Sequence, residues 1–177
     1  MLPYIILAIC AVIVVLVVII ALQPSEFQVS RSATMSASPQ AVFEQVNDFH
    51  KWDAWSPWAR IDPEMKQTFE GAPAGTGAEY SWNGNKKVGQ GHMTILDSRP
   101  GEAVKIKLEF LKPMKATNTT LFTFKPEGDQ TLVVWTMNGK NNFMGKIFCL
   151  FMNMDKMVGK DFEMGLAAMK TIAEAAS

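Results

Sequence analysis

The sequence predicts an α+β fold in which a curved antiparallel sheet of about seven strands wraps around a long C-terminal helix, preceded by one transmembrane helix. Apolar residues recur every three or four positions from Met154 to Ala176, the spacing of a helix with one buried face. From Met65 to Met137, short alternating segments are separated by turn residues, as in antiparallel strands. The stretch from Leu2 to Leu22 is apolar and uncharged, and about 20 such residues span a bilayer.

Composition limits the classes of function. The chain has 177 residues, with 17 basic and 17 acidic side chains and a formal net charge of zero. Nucleic-acid binding depends on clustered Lys and Arg, so this balance argues against a nucleic-acid partner. The chain divides into a transmembrane anchor over residues 1–23 and one domain over residues 24–177, which is long enough for a single hydrophobic core.

Two interpretations of the apolar N-terminal segment compete, a cleaved signal peptide and an uncleaved anchor. A signal peptide needs a cationic start, a shorter apolar core and a small-residue cleavage site. No Lys or Arg precedes this run, and residues 19–23 lack an Ala-x-Ala pattern. We therefore predict a single-pass membrane protein anchored through residues 2–22. The side on which the domain lies stays open, because only Arg31 and the opposing Glu26 follow the span closely.

The first elements after the anchor are a strand and a short helix. Glu26 to Ser36 alternates imperfectly between apolar and polar residues, which predicts a strand. Ser38 and Pro39 are typical of a helix start, because Ser caps the free N–H groups and Pro fits the first helical position. The predicted buried face of this helix consists of Val42, Phe43, Val46 and Phe49.

The segment from His50 to Arg60 contains three of the five tryptophans. Trp52 and Trp55 are three positions apart, as on one face of a short helix, and Pro57 ends that helix. Two interpretations stay open. The segment is either a hydrophobic plug at one end of the sheet, or Trp55 and Trp58 form the wall of a ligand site.

Six alternating segments follow and predict the remaining strands, joined by short turns that make neighbours antiparallel. Asn83-Gly84-Asn85 predicts a hairpin turn between the second and third segments. The six segments are Met65–Glu70, Ala78–Asn83, Lys87–Ser98, Val104–Phe110, Ala116–Lys125 and Thr131–Met137.

The chain ends in the long amphipathic helix. Residues 143–152 are apolar and are expected to form a helical or irregular lead-in. The apolar stripe of the long helix consists of Val158, Phe162, Leu166, Met169 and Ile172. Burial of five such side chains contributes roughly 7–15 kcal/mol before entropy is subtracted, so we expect the stripe to lie across the sheet.

The bulky residues of the strands, taken as inward-facing, give a large interior rich in aromatic residues and methionine. Methionine adapts to irregular shapes and suits permissive binding. By alternation, the polar side chains of Gln67, Asn118 and Thr120 also face inward, where a few polar groups would orient a ligand. A ligand cavity and a filled core both fit this pattern.

The motifs of catalytic and metal sites are missing. The two histidines are not paired at metal-ligand spacing, and the sequence contains no Cys-x-x-Cys motif. Ser56 lacks a Gly-x-Ser-x-Gly context, and the glycines at 71, 75 and 77 are not followed by Gly-Lys-Ser/Thr. We therefore predict no catalytic residue, no metal ion and no cofactor.

The chain resembles the helix-grip, START-like superfamily, also called SRPBCC or polyketide cyclase/dehydrase-like, in a bacterial form with an N-terminal anchor. The resemblance covers about Glu26 to Ala176. The segments that carry it are Arg31-Ser32, Ala37–Phe43, Val46–Phe49, Trp52–Trp58, Tyr80–Asn85 and Met154–Glu163. It implies a helix-grip fold with a hydrophobic cavity between the sheet and the long helix. The superfamily includes lipid and hormone carriers, cyclases and members without a known ligand, so it does not imply one reaction.

These arguments predict a set of ligand-binding residues on the inward faces of the strands, the Trp segment and the final helix. The set consists of Trp55, Trp58, Gln67, Phe69, Tyr80, Trp82, Met93, Phe110, Asn118, Thr120, Phe122, Trp135, Phe162, Leu166 and Met169.

Three hypotheses for the function follow. The favoured one is a membrane-anchored domain that binds a hydrophobic small molecule or lipid without catalysis. An enzyme of the cyclase or isomerase type, in which Tyr80, Asn118 or a nearby carboxylate handles a proton, is the first alternative. A membrane-tethered module that binds a protein partner through Trp52–Trp58 is the second.

Overall fold

The computed structural model describes residues 1–141, 143–151 and 153–176. It contains five α-helices, seven strands and two 3-10 helices within these residues. The helices are α1 (Leu2–Ala21), α2 (Pro39–Asn47), α3 (Trp52–Trp55), α4 (Phe143–Phe151) and α5 (Met154–Ala175), and the 3-10 helices are Phe49–Lys51 and Pro57–Arg60. The strands are β1 (Glu26–Met35), β2 (Lys66–Gly71), β3 (Ala78–Asn83), β4 (Gln90–Arg99), β5 (Ala103–Lys112), β6 (Ala116–Glu127) and β7 (Gln130–Lys140).

All seven strands form one antiparallel sheet in the order β1-β7-β6-β5-β4-β3-β2. The strands β2 to β7 follow one another as a meander, and β1 pairs with the last of them, with Val29 opposite Met137. This arrangement, together with the long helix at the C-terminus, confirms the predicted α+β helix-grip fold.

The long helix α5 packs against the inner face of the sheet and lies closest to β1. Asn153 caps its start, since the side-chain carbonyl accepts a hydrogen bond from the Lys156 backbone N–H at 3.0 Å. Three residues of the predicted stripe, Phe162, Leu166 and Met169, are buried. The bulky strand residues that alternation assigns to the interior all lie in the core or pack against it. They are Met65, Phe69, Tyr80, Trp82, Met93, Ile95, Val104, Ile106, Leu108, Phe110, Phe122, Phe124, Val133, Trp135 and Met137.

An ion-pair cluster joins β1 to α5. The Arg31 guanidinium donates from Nη1 to Asp155 at 2.9 Å and from Nε to Glu163 at 2.7 Å. The Nη2 atom of Arg31 lies against Gly159, where a side chain would collide with the guanidinium. The hydrogen bond from Arg31 holds the pKa of Asp155 below its usual value. Alternation places Arg31 on the inner side of β1, but its partners come from a distant part of the chain.

The hairpin predicted at Asn83-Gly84-Asn85 is present, since β3 and β4 pair antiparallel with Asn83 opposite Gln90, but its loop spans residues 84–89. The third strand ends at Asn83 and the fourth begins only at Gln90. The Asp62 carboxylate accepts a hydrogen bond from the Asn85 backbone N–H at 2.6 Å, and the Asn85 side chain accepts one from the Lys87 N–H. These hydrogen bonds satisfy backbone N–H groups of residues 85 and 87 and so stabilise a loop that is longer than a two-residue turn.

The apolar segment at the N-terminus forms α1, and the apolar segment before α5 forms α4. Helix α1 is long enough and apolar enough to cross a membrane. The segment expected as a helical or irregular lead-in forms α4 up to Phe151, and Met152 lies outside the described residues.

Candidate functional site

An aromatic cluster fills the space between α5 and the strands β6 and β7. The Trp135 ring of β7 lies between two phenylalanine rings. It stacks on Phe162 of α5 with ring centroids 3.8 Å apart and on Phe122 of β6 at 4.7 Å. Trp55 and Trp58 meet the Trp135 ring edge-on at 5.6 and 6.0 Å. These five rings form the centre of the candidate site.

The tryptophans of the Trp segment are positioned by hydrogen bonds to helix α2. The Trp52 indole N–H donates to the Val46 carbonyl and the Trp55 indole N–H donates to the Gln45 carbonyl, each at 3.0 Å. Both side chains are buried, so they form a hydrophobic plug under α2 and α5. Trp58 is half-buried and contacts Trp135 and Phe162, and its place in the wall of a ligand site stays a prediction.

Trp135 differs from these two tryptophans in one respect. Its side chain is 2% exposed. Among the described residues, none accepts a hydrogen bond from its Nε1 atom. A buried N–H without an acceptor lowers stability by about 1–3 kcal/mol. The sequence offered no signal of this unpaired donor, since it depends on which groups surround the ring.

A second group of rings lines the strands β2 to β5. Tyr80 lies between Phe69 at 5.3 Å and Trp82 at 5.9 Å, and Trp82 meets Phe110 edge-on at 5.8 Å. The Trp82 ring covers Gly91 of the adjacent strand. Phe69 and Phe110 are half-buried, so this end of the interior is less closed than the Trp135 end.

Two polar side chains lie near the second group of rings. Gln67 is hydrogen-bonded, and Tyr80 has a raised pKa. Gln67 donates to the Asp53 carboxylate at 2.8 Å, which links β2 to α3. Burial of the Tyr80 phenol, together with the nearby charge of Asp53, raises the pKa of Tyr80 to about 12. At neutral pH this phenol therefore stays protonated and is a poor base.

We expect Tyr80 to titrate near pH 12 in the folded chain. Folding favours the neutral phenol, because the folded chain holds its proton more tightly than the unfolded chain does. The shift therefore contributes its whole stabilisation below the ordinary pKa of about 10, and this stabilisation is lost as the pH rises towards 12. Tyr4→Phe leaves Tyr80 as the single tyrosine of the chain. Phenolate absorbance of this variant, measured folded and in denaturant, checks the shift. Equal pKa values in the two states would contradict burial of the phenol.

Two more predicted polar residues lie on β6. Asn118 and Thr120 are buried on the inner face of the sheet. The Asn118 amide lies 3.7 Å from the Met137 sulfur and close to Gly139 of the neighbouring strand. Its polar atoms therefore face an apolar interior near one end of the strands.

The fifteen predicted ligand-binding residues thus form two adjoining aromatic groups with polar residues at their margins. The buried members are Trp55, Tyr80, Trp82, Met93, Asn118, Thr120, Phe122, Trp135, Phe162, Leu166 and Met169. The half-buried members are Trp58, Gln67, Phe69 and Phe110.

A separate groove of about 910 Å³ lies at the end of β1, β7 and β6 that is closest to α1. Two lysines, Lys115 and Lys140, and the ring of Phe27 are part of its lining. No predicted ligand-binding residue is among the described residues that line this groove. The groove is open and partly polar, whereas the predicted interior is filled with rings. Inward alternation does not reveal a groove formed where strands end.

The described residues contain no group of three or more His, Cys, Asp and Glu side chains that could hold a metal ion. His50 instead pairs with Asp48 at 2.9 Å and stacks on Phe69. His92 contacts Ser81 and Thr94 on the opposite face of the sheet.

Comparison with known proteins agrees with this architecture. The model of the family described as polyketide cyclase / dehydrase and lipid transport matches residues 26–174. No curated protein matches the chain.

Solved structures with the same fold come from distant proteins. A protein from Chromobacterium violaceum is 14% identical, with a TM-score of 0.60 over 85% of this chain and 98% of that one. The di-domain ARO/CYC StfQ from the steffimycin biosynthetic pathway is 11% identical, with a TM-score of 0.63 over 85% of this chain and 52% of that one. The major latex-like protein 151 from Panax ginseng is 10% identical, with a TM-score of 0.59 over 85% and 99%. Such low identities show the fold alone.

Proposed function

Because the chain belongs to the polyketide cyclase/dehydrase and lipid transport family, we propose that it is a membrane-anchored domain that binds a hydrophobic small molecule or lipid. Residues 1–23 are the uncleaved anchor and residues 24–177 the binding domain. In the bound state the ligand lies between the sheet and α5 and contacts the fifteen residues named above, so the rings that fill this space in the ligand-free domain must move apart to admit it. The domain carries out no chemistry of its own.

The unpaired indole N–H of Trp135 is the observation that carries this proposal. It lies at the centre of the aromatic cluster, stacked between Phe122 and Phe162. A ligand oxygen beside the ring would accept this hydrogen bond and remove the cost of the unpaired donor. Rings on both sides would contact the apolar part of the same ligand.

The half-buried residues at the other end of the interior support a route of entry. Leu108 and Phe110 of β5 lie on the inner face but stay partly exposed. Asn118 is opposite Leu108 in the sheet register, so an amide lies next to these apolar side chains. An apolar pocket with a few polar groups is the usual composition of a small-molecule site.

The state of Tyr80 argues against its use as a general base. Its raised pKa keeps the phenol neutral, and its rate as a proton acceptor near neutral pH would be low. Trp52 and Trp55 are buried and offer little surface to a protein partner. A ligand site inside the domain therefore accounts for more of the aromatic residues than a partner surface does.

Native mass spectrometry of the full-length protein extracted in mild detergent tests the proposal. We expect a reproducible bound mass that is released on denaturation. Trp135→Phe keeps a ring but removes the donor, so the variant should lose about tenfold in affinity, the equivalent of one hydrogen bond. In the ligand-free protein its stability should change little, because an unsatisfied group is removed.

Trp52→Phe is the matched control. Its indole donates to Val46, so loss of this bond should lower stability by about 1–3 kcal/mol while ligand affinity stays unchanged. Protein that stays empty in lipid extracts, or that binds equally well with and without the Trp135 donor, would contradict the proposal.

A further inference from the structure

Helix α4 is an apolar helix whose main contacts, among the described residues, are with α1 rather than with the sheet. Its nine residues contain one charged side chain, Lys146, and no acidic one. Two large apolar side chains at its start are open to solvent, with Phe143 54% and Met144 56% exposed. An exposed apolar helix of this kind needs a partner, because water is a poor environment for it.

The element that α4 approaches most closely is α1. The Lys146 ammonium donates a hydrogen bond to the carbonyl of Ala21, the last residue of α1, at 3.0 Å. The adjoining linkers are also joined, because the Asn141 backbone N–H donates to the Ser25 carbonyl at 2.8 Å and its side chain to the Pro24 carbonyl at 3.2 Å. These contacts hold α4 beside the end of α1 from which the domain begins.

The length of α1 determines what lies beside that end. Its 20 residues extend about 30 Å, the thickness of the hydrocarbon core of a bilayer. If α1 spans the membrane, Ala21 lies at the border of the hydrocarbon and α4 lies at the level of the headgroups. Amphipathic helices bind in this layer with their apolar side chains among the acyl chains and lysine among the headgroups.

We propose that α4 lies in the interfacial layer of the membrane that α1 crosses, with Phe143 and Met144 inserted among the lipid chains. The inference rests on the anchor of the proposed function. A second contact with the bilayer, besides α1, would restrict the orientation of the domain. It would direct the end of the sheet that carries Lys115, Lys140 and the groove towards the lipid headgroups.

Depth measurements on the full-length protein in phosphatidylcholine vesicles test this inference. After Cys10→Ser and Cys149→Ser, single cysteines introduced by Met144→Cys, Met164→Cys or Val14→Cys carry an environment-sensitive fluorophore. Met164 is the matched control, because it is a methionine on α5 with a similar exposure of 48%. Val14 of α1, 61% exposed, reports whether the anchor is in the bilayer. Thermal unfolding of each labelled protein checks that it is folded.

We expect quenchers attached to lipid chains to quench the fluorescence of the probe at position 144 at least about three times as strongly as that of the probe at position 164. The probe at position 14 should respond to the deepest quenchers, and the probe at 164 to iodide in water.

Three results would overturn the inference, and they differ in their cause. If iodide quenches the probe at 144 while the probe at 14 responds to lipid quenchers, α1 is a membrane anchor but α4 does not lie in the interfacial layer. If iodide quenches the probe at 14, α1 is not in the bilayer, and both the proposed anchor and the inference about α4 are wrong. A probe at 144 shielded from both quenchers means that α4 contacts protein rather than lipid.

Discussion

Phe162→Ala should lower the free energy of unfolding by about 3–5 kcal/mol, the usual cost of removing a large ring from a tightly packed core. Phe162 is 1% exposed, and its ring lies parallel to that of Trp135 at 3.8 Å. The substitution removes this stacking and one wall of the aromatic cluster. Denaturant unfolding of the full-length protein in detergent, followed by tryptophan fluorescence, measures the loss.

Met164→Ala on the same helix is the control for Phe162→Ala. Met164 is exposed, so its removal should change stability by no more than about 0.5 kcal/mol. A cost for Phe162→Ala below about 1.5 kcal/mol would mean that the ring borders open space. In a packed interior, a small apolar compound added to the Phe162→Ala variant should restore part of the stability by filling the new cavity.

Gly91→Val should lower the free energy of unfolding by about 3 kcal/mol through overpacking. Gly91 lies on the inner face of β4, directly beneath the Trp82 ring. A Cβ atom at this position would contact that ring and would lie 2.6 Å from the Glu109 carbonyl oxygen of the neighbouring strand. The ring can move but the carbonyl belongs to the sheet, so the strand pairing must shift. Thermal unfolding of the variant measures the effect.

A double-mutant cycle with Trp82→Ala separates the two contacts of Gly91. Once the ring is absent, Gly91→Val should cost at least about 1 kcal/mol less than in the original chain. The remaining cost reports the collision with the backbone of β5. An equal cost with and without Trp82 would show that the ring does not require glycine at this position.

The strand and helix faces could be predicted because alternation and three-to-four spacing depend on neighbouring residues. Phe162, Leu166 and Met169 lie on the buried side of α5 as their spacing predicts. Asn118 and Thr120 face inward because they share a side of β6 with Phe122. Turn length was less predictable, since the loop after Asn83 is stabilised by Asp62 from an earlier segment.

The candidate site was predictable as a set of residues but not as an arrangement. Alternation brings Trp135 and Phe122 to the inner face, and the stripe of α5 brings Phe162 to the same side. Which rings stack depends on how α5 lies across the sheet, and neither pattern contains that angle. The ion pairs of Arg31 with Asp155 and Glu163 have the same origin, since their partners are more than a hundred positions away.

The sequence by itself determined the type and order of the main elements, the inward faces of the strands and the apolar character of the N-terminal helix. Each of these follows from local spacing and composition, which act through backbone geometry and burial. Only the tertiary structure decided that the Trp135 N–H is unpaired, that the cluster around it is filled with rings and that α4 lies beside the end of α1. These features depend on distances between segments far apart in the chain, and local patterns do not encode such distances.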